Sequence, residues 1–425
     1  MTRVEERNTF RAFRNRNYAL FFCGQSISQI GTWMQRTAVS WVVYSITHSA
    51  SMLGLAVFAQ QFPSFLFSLL GGIVSDRYDR RKILLITQSA SLVQSVLLAV
   101  LTITDHYVIW EILLLSVLLG IVNAFDTPAR QPMVHELVSN KEDITNALAF
   151  NSAMVNIARL IGPALSGIVL QSFGAHTCFL MNALSFLAVI ASLLLMKLPA
   201  FVPPATQKKA IAELSEGFRY LRRTPRIGII IILLMCLSLL VLPYDTLMPV
   251  FAKVIFQGNA RTFGYIASAG GLGSIVGSFF LASLKKHANL TRILLVSIVI
   301  LGMGLLGFSR CTSFYWSIPF AVVIGLASLT PTTVCLTIIQ LEAASHMRGR
   351  MMSYIAMAYF GMLPLGCLLA GAVSQKISAP TTMLLEGSVA IIVALVFTHY
   401  LQEERLNKKG VNDLQEVENT VAEKA

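Results

Sequence analysis

Twelve long apolar runs constrain this fold more than any other feature of the sequence. A helix of about 20 residues, rising about 1.5 Å per residue, crosses a hydrocarbon layer about 30 Å thick. The runs are continuously apolar and do not alternate, so they predict helices rather than the strands of a membrane barrel. Their approximate limits are 18–46, 52–75, 83–104, 108–127, 149–172, 177–198, 227–250, 262–284, 292–309, 314–340, 352–375 and 381–401.

The composition identifies the surroundings of these helices. Only 13% of the 425 residues are charged and 55% are hydrophobic, which leaves too little polar surface for a soluble protein of this size. We therefore expect an all-α membrane protein with twelve transmembrane helices in the lipid bilayer. The first run is not a cleavable signal, because Gln25, Gln29 and Arg36 interrupt it and no small-residue cleavage site follows.

The positions of Lys and Arg predict the orientation of the chain. Positive loops stay on the cytoplasmic side of a membrane. With the N-terminus inside, most of the 33 Lys and Arg fall in cytoplasmic segments, and the outer loops hold only Lys253, Arg261, Arg310 and Lys376. Both termini are therefore expected in the cytoplasm. The net charge of +12 reflects this topology, and because it is spread over separate short loops, no nucleic-acid partner is expected.

A polar segment between the sixth and seventh runs divides the chain. Residues 201–225 begin Pro-rich and continue as an amphipathic helix that would lie along the inner membrane surface. This predicts six-helix bundles over 1–200 and 226–401, with a cytoplasmic tail at 402–425. The two halves are weakly similar. Paired bundles of this kind are typical of transporters, which bind substrate near the membrane midplane between the halves.

One loop crowds six charges into the stretch GGIVSDRYDRRKIL at 71–84. Its spacing, Gly72-x-x-x-Asp76-Arg77-x-x-Arg80-Arg81, resembles the loop 2–3 signature of the major facilitator superfamily. The layout of six plus six helices extends this resemblance over nearly the whole chain, and it implies the major facilitator fold. One position departs from the signature, because Asp79 stands where the second Gly usually lies.

The resemblance implies that this loop is a conformational latch. Gly72 would let runs 2 and 11 approach closely, and Asp76 would face the positive N-terminal end of run 11. Arg77 would reach an acid at the inner end of run 4, a place that Asp126 occupies. Arg80 and Arg81 have a second interpretation, in which they only anchor the topology. Asp79 leaves the backbone of the loop in question, since Asp adopts positive φ less readily than Gly.

The fifth run resembles the antiporter signature of the superfamily's exporters through Gly162, Pro163 and Gly167. Small residues permit tight helix packing and Pro163 frees a backbone carbonyl, although such a kink also occurs without directional meaning. The segment 124–152, together with RLIGPALSG at 159–167, resembles the branch typified by the enterobactin exporter and macrolide efflux proteins. This resemblance implies export of a siderophore-like or drug-like molecule across a bacterial inner membrane, without a cofactor.

Polar residues inside the apolar runs are candidates for substrate binding. Gln25, Gln29, Thr32 and Arg36 share one helical face of the first run, and Trp33 beside them could stack on a flat ring of the substrate. Arg159 lies near mid-depth in the fifth run. Cations at this depth require an acid, a carbonyl or an anionic ligand, so the cavity favours an acidic or catecholate-like substrate. Two alternatives remain: glutamines that only bond neighbouring helices, and a structural ion pair of Arg159.

Protonatable groups are scarce within the predicted membrane helices. Asp245 is the first candidate for proton coupling and Glu386 the second, because coupling requires a group that can be neutral or charged. An interfacial Asp245 that never titrates is the alternative.

Other classes of function are disfavoured by the motifs. The chain has no phosphate-binding loop of the ATPase type, no metal-ligand spacing and no catalytic grouping, so neither an ATP-driven pump nor an enzyme is expected. We predict a monomeric secondary transporter that exports a small molecule by alternating access in exchange for protons. A proton-coupled nutrient importer and a non-transporting sensor or scaffold with the same fold are the alternatives.

Overall fold

The computed structural model describes residues 10–104, 108–138, 141–197, 210–285, 288–345 and 347–422, with the side chains of 141–142, 210–215 and 401–422 left aside. Their regular structure is entirely helical. Twelve long helical segments, called α1 to α12, match the twelve apolar runs. They are Arg16–Thr47, Ala50–Arg77, Arg80–Thr104, Ile109–Leu137, Lys141–Phe173, Ala175–Leu195, Pro225–Ile255, Ala260–Ala282, Leu290–Ser309, Phe314–Glu342, Arg348–Ile377 and Ala379–Ala422.

Eleven helices in the described part of the chain are long and apolar enough to cross a membrane, and α1 is the exception. Its 32 residues include Gln25, Gln29, Gln35 and Arg36, which lower its hydropathy. It nevertheless packs along α5 and α6 like its neighbours. The prediction of spanning helices is therefore confirmed for eleven segments, while a twelfth span remains a prediction.

The fourth helix is longer than its apolar run. It continues from Ile109 to Leu137 with Pro128 and Pro132 inside it. The predicted end of the fourth run at 127 is therefore too early, and α4 carries Arg130 within the bundle. Each proline removes one backbone hydrogen bond, but packing of the flanking turns keeps the helix continuous.

Two helices of the second half are irregular at mid-length. The first α-helical part of α7 ends at Leu240 and is followed by a 3₁₀ segment at Leu242–Leu247, a short α-helical turn at Met248–Val250 and a π segment at Phe251–Ile255. The helix α11 contains a π segment at Met357–Gly361. Irregular backbone at membrane depth is tolerated where it lines a cavity or is buried in protein.

The predicted segment between the halves contains a helix at Ala210–Arg223, called the linker helix. It lies against the start of α11, where Glu216 Oε1 is 2.8 Å from Arg350 Nη1. The hydroxyl of Tyr220 accepts a hydrogen bond from the Ala344 N–H at 3.1 Å. At the other end of the second half, α12 continues as one helix beyond the predicted boundary at 401.

The two halves, α1–α6 and α7–α12, meet along two seams, α2 with α11 and α5 with α8. Glycines bring the backbones of the second seam together. A β carbon on Gly167 would lie 2.7 Å from the carbonyl oxygen of Ala260, and one on Gly264 would lie 2.5 Å from that of Pro163. Direct backbone contact of this kind is the usual means of helix association in lipid.

These seams are closed at one end of the molecule and open at the other. We call the end with the linker helix and the α2–α3 turn the terminal end, and the opposite one the distal end. At the distal end Arg261 Nη2 donates to Ser172 Oγ at 2.9 Å, and Trp41 stacks on Phe263 with ring centroids 6.1 Å apart. At the terminal end, β carbons on Gly72 and Gly349 would meet no described atom within 4 Å. The space between the halves therefore opens toward the terminal end.

Candidate functional site

Two arginines share one tryptophan ring at mid-depth in the first half. The Cζ atom of Arg36 lies 5.2 Å from the ring centroid of Trp33, and that of Arg159 lies 5.7 Å from it. All three side chains are partly exposed. Among the described residues, no carboxylate lies within 4.0 Å of either guanidinium. The ring's negative face supplies only part of the compensation that two such cations need.

The helix α5 is held against α1 at this point. The Ser166 hydroxyl donates to the carbonyl oxygen of Met34 at 2.9 Å, and Gly162 faces Trp33. Pro163 lies in the α5–α8 seam, and α5 remains one helix through it. The predicted antiporter-like residues therefore pack α5 against α1 on one side and α8 on the other.

The second half contributes a carboxylate and phenols across the central space. Asp245 is exposed on the 3₁₀ segment of α7, next to the buried Tyr244. Tyr359, on the π segment of α11, lies within electrostatic range of Arg159, Arg36 and Asp245. The irregular segments of α7 and α11 thus bring these residues opposite the arginines. Tyr244 and Tyr359 were missed in the sequence, because nothing in their spacing separates them from interfacial tyrosines.

The second proton-coupling candidate has different surroundings. Glu386 on α12 is 6% exposed, and its Oε2 atom has no hydrogen-bond partner among the described residues. It interacts electrostatically with Cys367 of α11, so it lies inside the second half. Asp245, by contrast, faces the space between the halves.

The residues of the predicted polar face of α1 have different surroundings in the structure: Gln25 is buried, and Gln29 and Arg36 are partly exposed. Gln25 is 2% exposed, and its Oε1 atom accepts from Arg130 Nη1 at 3.3 Å. Gln29 is partly exposed, like Trp33 and Arg36. In this conformation Gln25 therefore belongs to a buried network of the first half and does not line the central space.

That network is centred on Asp126, which is 3% exposed. Its Oδ2 atom lies 3.3 Å from Arg130 Nε, and its Oδ1 atom accepts from Thr87 Oγ1 at 3.0 Å and Gln88 Nε2 at 2.8 Å. The four-residue spacing of Asp126 and Arg130 on a helix was the signal that could have revealed this pair. The contact between Arg77 and Asp126 remains a prediction.

A second buried polar network fixes α1, α3 and α6 together. Gln35 Nε2 donates to Gln94 Oε1 at 2.9 Å, while Gln35 Oε1 accepts from Ser95 Oγ at 2.6 Å and Asn182 Nδ2 at 2.8 Å. Sequence reasoning did not identify these residues. Because Gln35 and Arg36 are neighbours on α1, the network also fixes the helix that carries the first arginine.

The charged loop has a defined geometry without a closed latch. The Asp76 side chain is 72% exposed and lies 3.8 Å from Arg80 Nη2. Arg80 also pairs with Glu136, and Arg81 Nη2 donates to the carbonyl oxygen of Leu194 at 3.0 Å. A β carbon on Gly72 would meet no atom of the described residues within 4 Å, so the predicted contact of this loop with the start of α11 is not formed among them and stays a prediction.

Asp79 caps the start of α3. Its Oδ1 atom accepts from the Arg81 N–H at 2.9 Å, and its carbonyl oxygen accepts from the Ile83 N–H at 3.1 Å. This is the geometry of an N-cap residue, a position that Asp favours. Asp79 is not among the residues with positive φ, so this turn does not need the glycine of the usual signature.

The helical halves, with Arg36 and Arg159 at mid-depth, define the class of this protein. It is a membrane transporter of the major facilitator superfamily. Residues 7–424 match the family described as transmembrane secretion effector, and the chain belongs to this family. It is therefore a multi-pass membrane protein that carries a small molecule, and it is not an enzyme.

Individual relatives cover nearly the whole chain. It is 30% identical to a staphyloferrin A transporter of Staphylococcus aureus, over 89% of this chain and 94% of the relative. It is 26% identical to an enterobactin exporter of Salmonella choleraesuis, over 90% and 92%. A bacterial homologue of the lysosomal transporter Spinster, solved in an inward-facing and unoccupied conformation, has the same fold with a TM-score of 0.71 at 13% identity, covering 90% of this chain and 96% of that one.

Proposed function

We propose that this protein exports a small anionic, siderophore-like molecule across the bacterial cytoplasmic membrane by alternating access, in exchange for protons. It acts as a monomer with twelve spanning helices and both termini in the cytoplasm. The terminal end is then the cytoplasmic one, and the conformation described here is open to the cytoplasm. A substrate would enter from that side and reach the arginines at mid-depth.

The observation that carries this proposal is the pair of arginines on Trp33. Arg36 and Arg159 lie 5.2 and 5.7 Å from one indole centroid, without a carboxylate in ion-pair range among the described residues. An anionic ligand would compensate both cations through charge-assisted hydrogen bonds. The exposed part of the indole offers a face for an aromatic ring of the substrate. Two relatives named for siderophores support the same substrate class.

Asp245 is the residue that we assign to proton coupling. Its side chain is exposed and lies within electrostatic range of Tyr359, which is also within range of Arg36 and Arg159. Ionised Asp245 accepts a hydrogen bond from a substrate hydroxyl through a carboxylate oxygen. Protonation turns that oxygen into an O–H donor. A proton and a substrate would therefore compete for Asp245, which is the condition for exchange.

Inside-out membrane vesicles test both the direction and the coupling. We expect uptake of enterobactin or staphyloferrin A into vesicles with an acidic interior, and we expect Asp245→Asn to remove the dependence on the pH gradient. Asp143→Asn serves as the matched control, since Asp143 pairs with Arg11 away from the site. Full uptake after the gradient is collapsed would exclude proton coupling. Gradient-driven movement of substrate out of the vesicles would favour the importer.

A further inference from the structure

A side chain of the second half caps a helix of the first half at the distal end. Gln375 lies near the end of α11, and its Oε1 atom accepts from the Ala50 N–H at 2.8 Å and from Ser49 Oγ at 3.1 Å. Ser49 is the N-cap residue of α2, and its hydroxyl also accepts from the Met52 N–H at 3.3 Å. Ala50 is the first residue of α2, so its N–H has no partner within the helix. A single carboxamide oxygen therefore completes the N-terminus of α2 from the opposite half.

The cap lies where the two backbones touch. A β carbon on Gly371 would lie 2.5 Å from the Ala50 carbonyl oxygen, and one on Gly54 would lie 2.3 Å from that of Cys367. These distances leave no space for lipid or water between α2 and α11 at the distal end. The Gln375 bonds can form only while the halves are in contact at the distal end.

The other end of the same two helices is arranged in the opposite sense. The helices run antiparallel, so α11 begins at the terminal end, where α2 finishes with Asp76 and Arg77. There the Asp76 side chain is 72% exposed, and β carbons on Gly72 and Gly349 would meet no described atom within 4 Å. The N-terminus of α2 is thus capped by the final turns of α11 at the distal end, while Gly72 near the end of α2 and Gly349 at the start of α11 meet no described atom at the terminal end.

We propose that Gln375 is a distal latch that holds the conformation open at the terminal end. It is the counterpart of the predicted Asp76 latch, with the helix N-terminus supplied by α2 instead of α11. The two caps are mutually exclusive, because the rocking that closes the terminal end separates Gln375 from Ala50. This inference rests on the proposed alternating-access cycle, and it adds the residue that biases its resting state.

The size of the bias follows from the chemistry of the cap. When the distal end opens, water replaces Gln375 at the Ala50 N–H, so only the difference between the two partners is lost. Loss of one helix cap then shifts the ratio of the two conformations by about fivefold. A carboxylate at the same place would interact more strongly with the positive helix N-terminus and shift the ratio in the opposite direction.

Distances between spin labels at the terminal end measure this ratio in the full-length protein without ligand. Tyr78 and Ser283 are exposed at the terminal end in opposite halves and can be replaced by labelled cysteines. Cys23 is the exposed native cysteine and is replaced by serine. Four proteins are compared in lipid nanodiscs: wild type, Gln375→Met, Gln375→Glu and the control Gln340→Met. The control alters an exposed glutamine of the same half whose side chain contacts Met352 Sδ at 3.8 Å.

We expect Gln375→Met to increase the short-distance population about fivefold, Gln375→Glu to decrease it, and Gln340→Met to match wild type. A Gln375→Met distribution that equals that of wild type or of Gln340→Met overturns the latch, even if wild-type vesicles transport normally. A failure of the proposed function has a different signature: wild-type vesicles move no siderophore, and the label distance stays single and unchanged in all four proteins between pH 5.5 and pH 8.

Discussion

Gly162 of α5 lies directly against Trp33 of α1: a β carbon on the glycine would lie 2.5 Å from the β carbon of the tryptophan. This contact connects the antiporter-like motif to the candidate site, because Trp33 is the ring over which Arg36 and Arg159 lie. Any side chain at 162 must displace α1 or α5, because the β carbon of Trp33 is held in place by the backbone. The glycine thus positions the residue that gathers the two cations.

Replacing Gly162 by Ala is therefore expected to disturb the site itself. Overpacking by one methyl group at this distance costs about 1–3 kcal/mol in a tightly packed interior. We expect reduced siderophore transport and a lower melting temperature in detergent, together with a changed Trp33 emission in a variant that retains only this tryptophan. Gly228→Ala is the control, since its nearest neighbour would be a carbonyl oxygen 3.7 Å away. Equal transport by the two variants would contradict the positioning role.

Neutralising the arginines tests the charge of the substrate. Arg36→Gln and Arg159→Gln should each weaken the binding of an anionic or catecholate ligand by about 1.5–3 kcal/mol, the range for a hydrogen bond to a charged group. Binding of a neutral ligand should change much less. Calorimetric titration beside melting curves separates the alternatives. Lost stability with unchanged affinity would show a structural ion pair and would remove the argument for an anionic substrate.

The buried pair of Asp126 and Arg130 should contribute to stability. Asp126→Asn leaves a guanidinium without its counterion, which costs about 3 kcal/mol, the low end for a broken buried pair, because the Arg130 side chain retains 29% exposure. The double variant Asp126→Asn with Arg130→Gln should recover part of the loss. Melting temperatures in one detergent provide the measurement. An unchanged melting temperature for Asp126→Asn would show that the pair does not stabilise the first half.

The exposed carboxylate of the charged loop should matter for transport and not for folding. Asp76→Asn is expected to impair transport with normal membrane insertion, because the terminal latch requires a carboxylate facing the N-terminus of α11. Arg81→Gln should be mild, since this change removes one exposed hydrogen bond to Leu194. Initial rates in vesicles, normalised to the amount of inserted protein, measure both effects. Large and equal losses would argue against the latch.

The sequence alone located the long helices, eleven of which are long and apolar enough to span a membrane, and it predicted the division into halves and the charged candidates. Helical hydrogen bonds are local and the bilayer fixes a minimum length, so apolar runs are sufficient to locate spanning helices. The loop motif likewise identified the superfamily through residues only a few positions apart. Within that frame, Arg36, Arg159 and Asp245 were identifiable because a charge in an apolar run is costly and therefore conspicuous.

Only the tertiary structure decided which partners these residues have. It placed Gln25 against Arg130, two arginines over one indole, and Gln375 on the N-terminus of α2. Such contacts join helices that are distant in the sequence, and they depend on how glycines and small residues set each interhelical distance. Periodicity specifies the face of a helix and not its neighbour. The end at which the space between the halves opens is likewise a property of the packed halves, because it depends on contacts such as that of Gln375 with Ala50, which join distant parts of the chain.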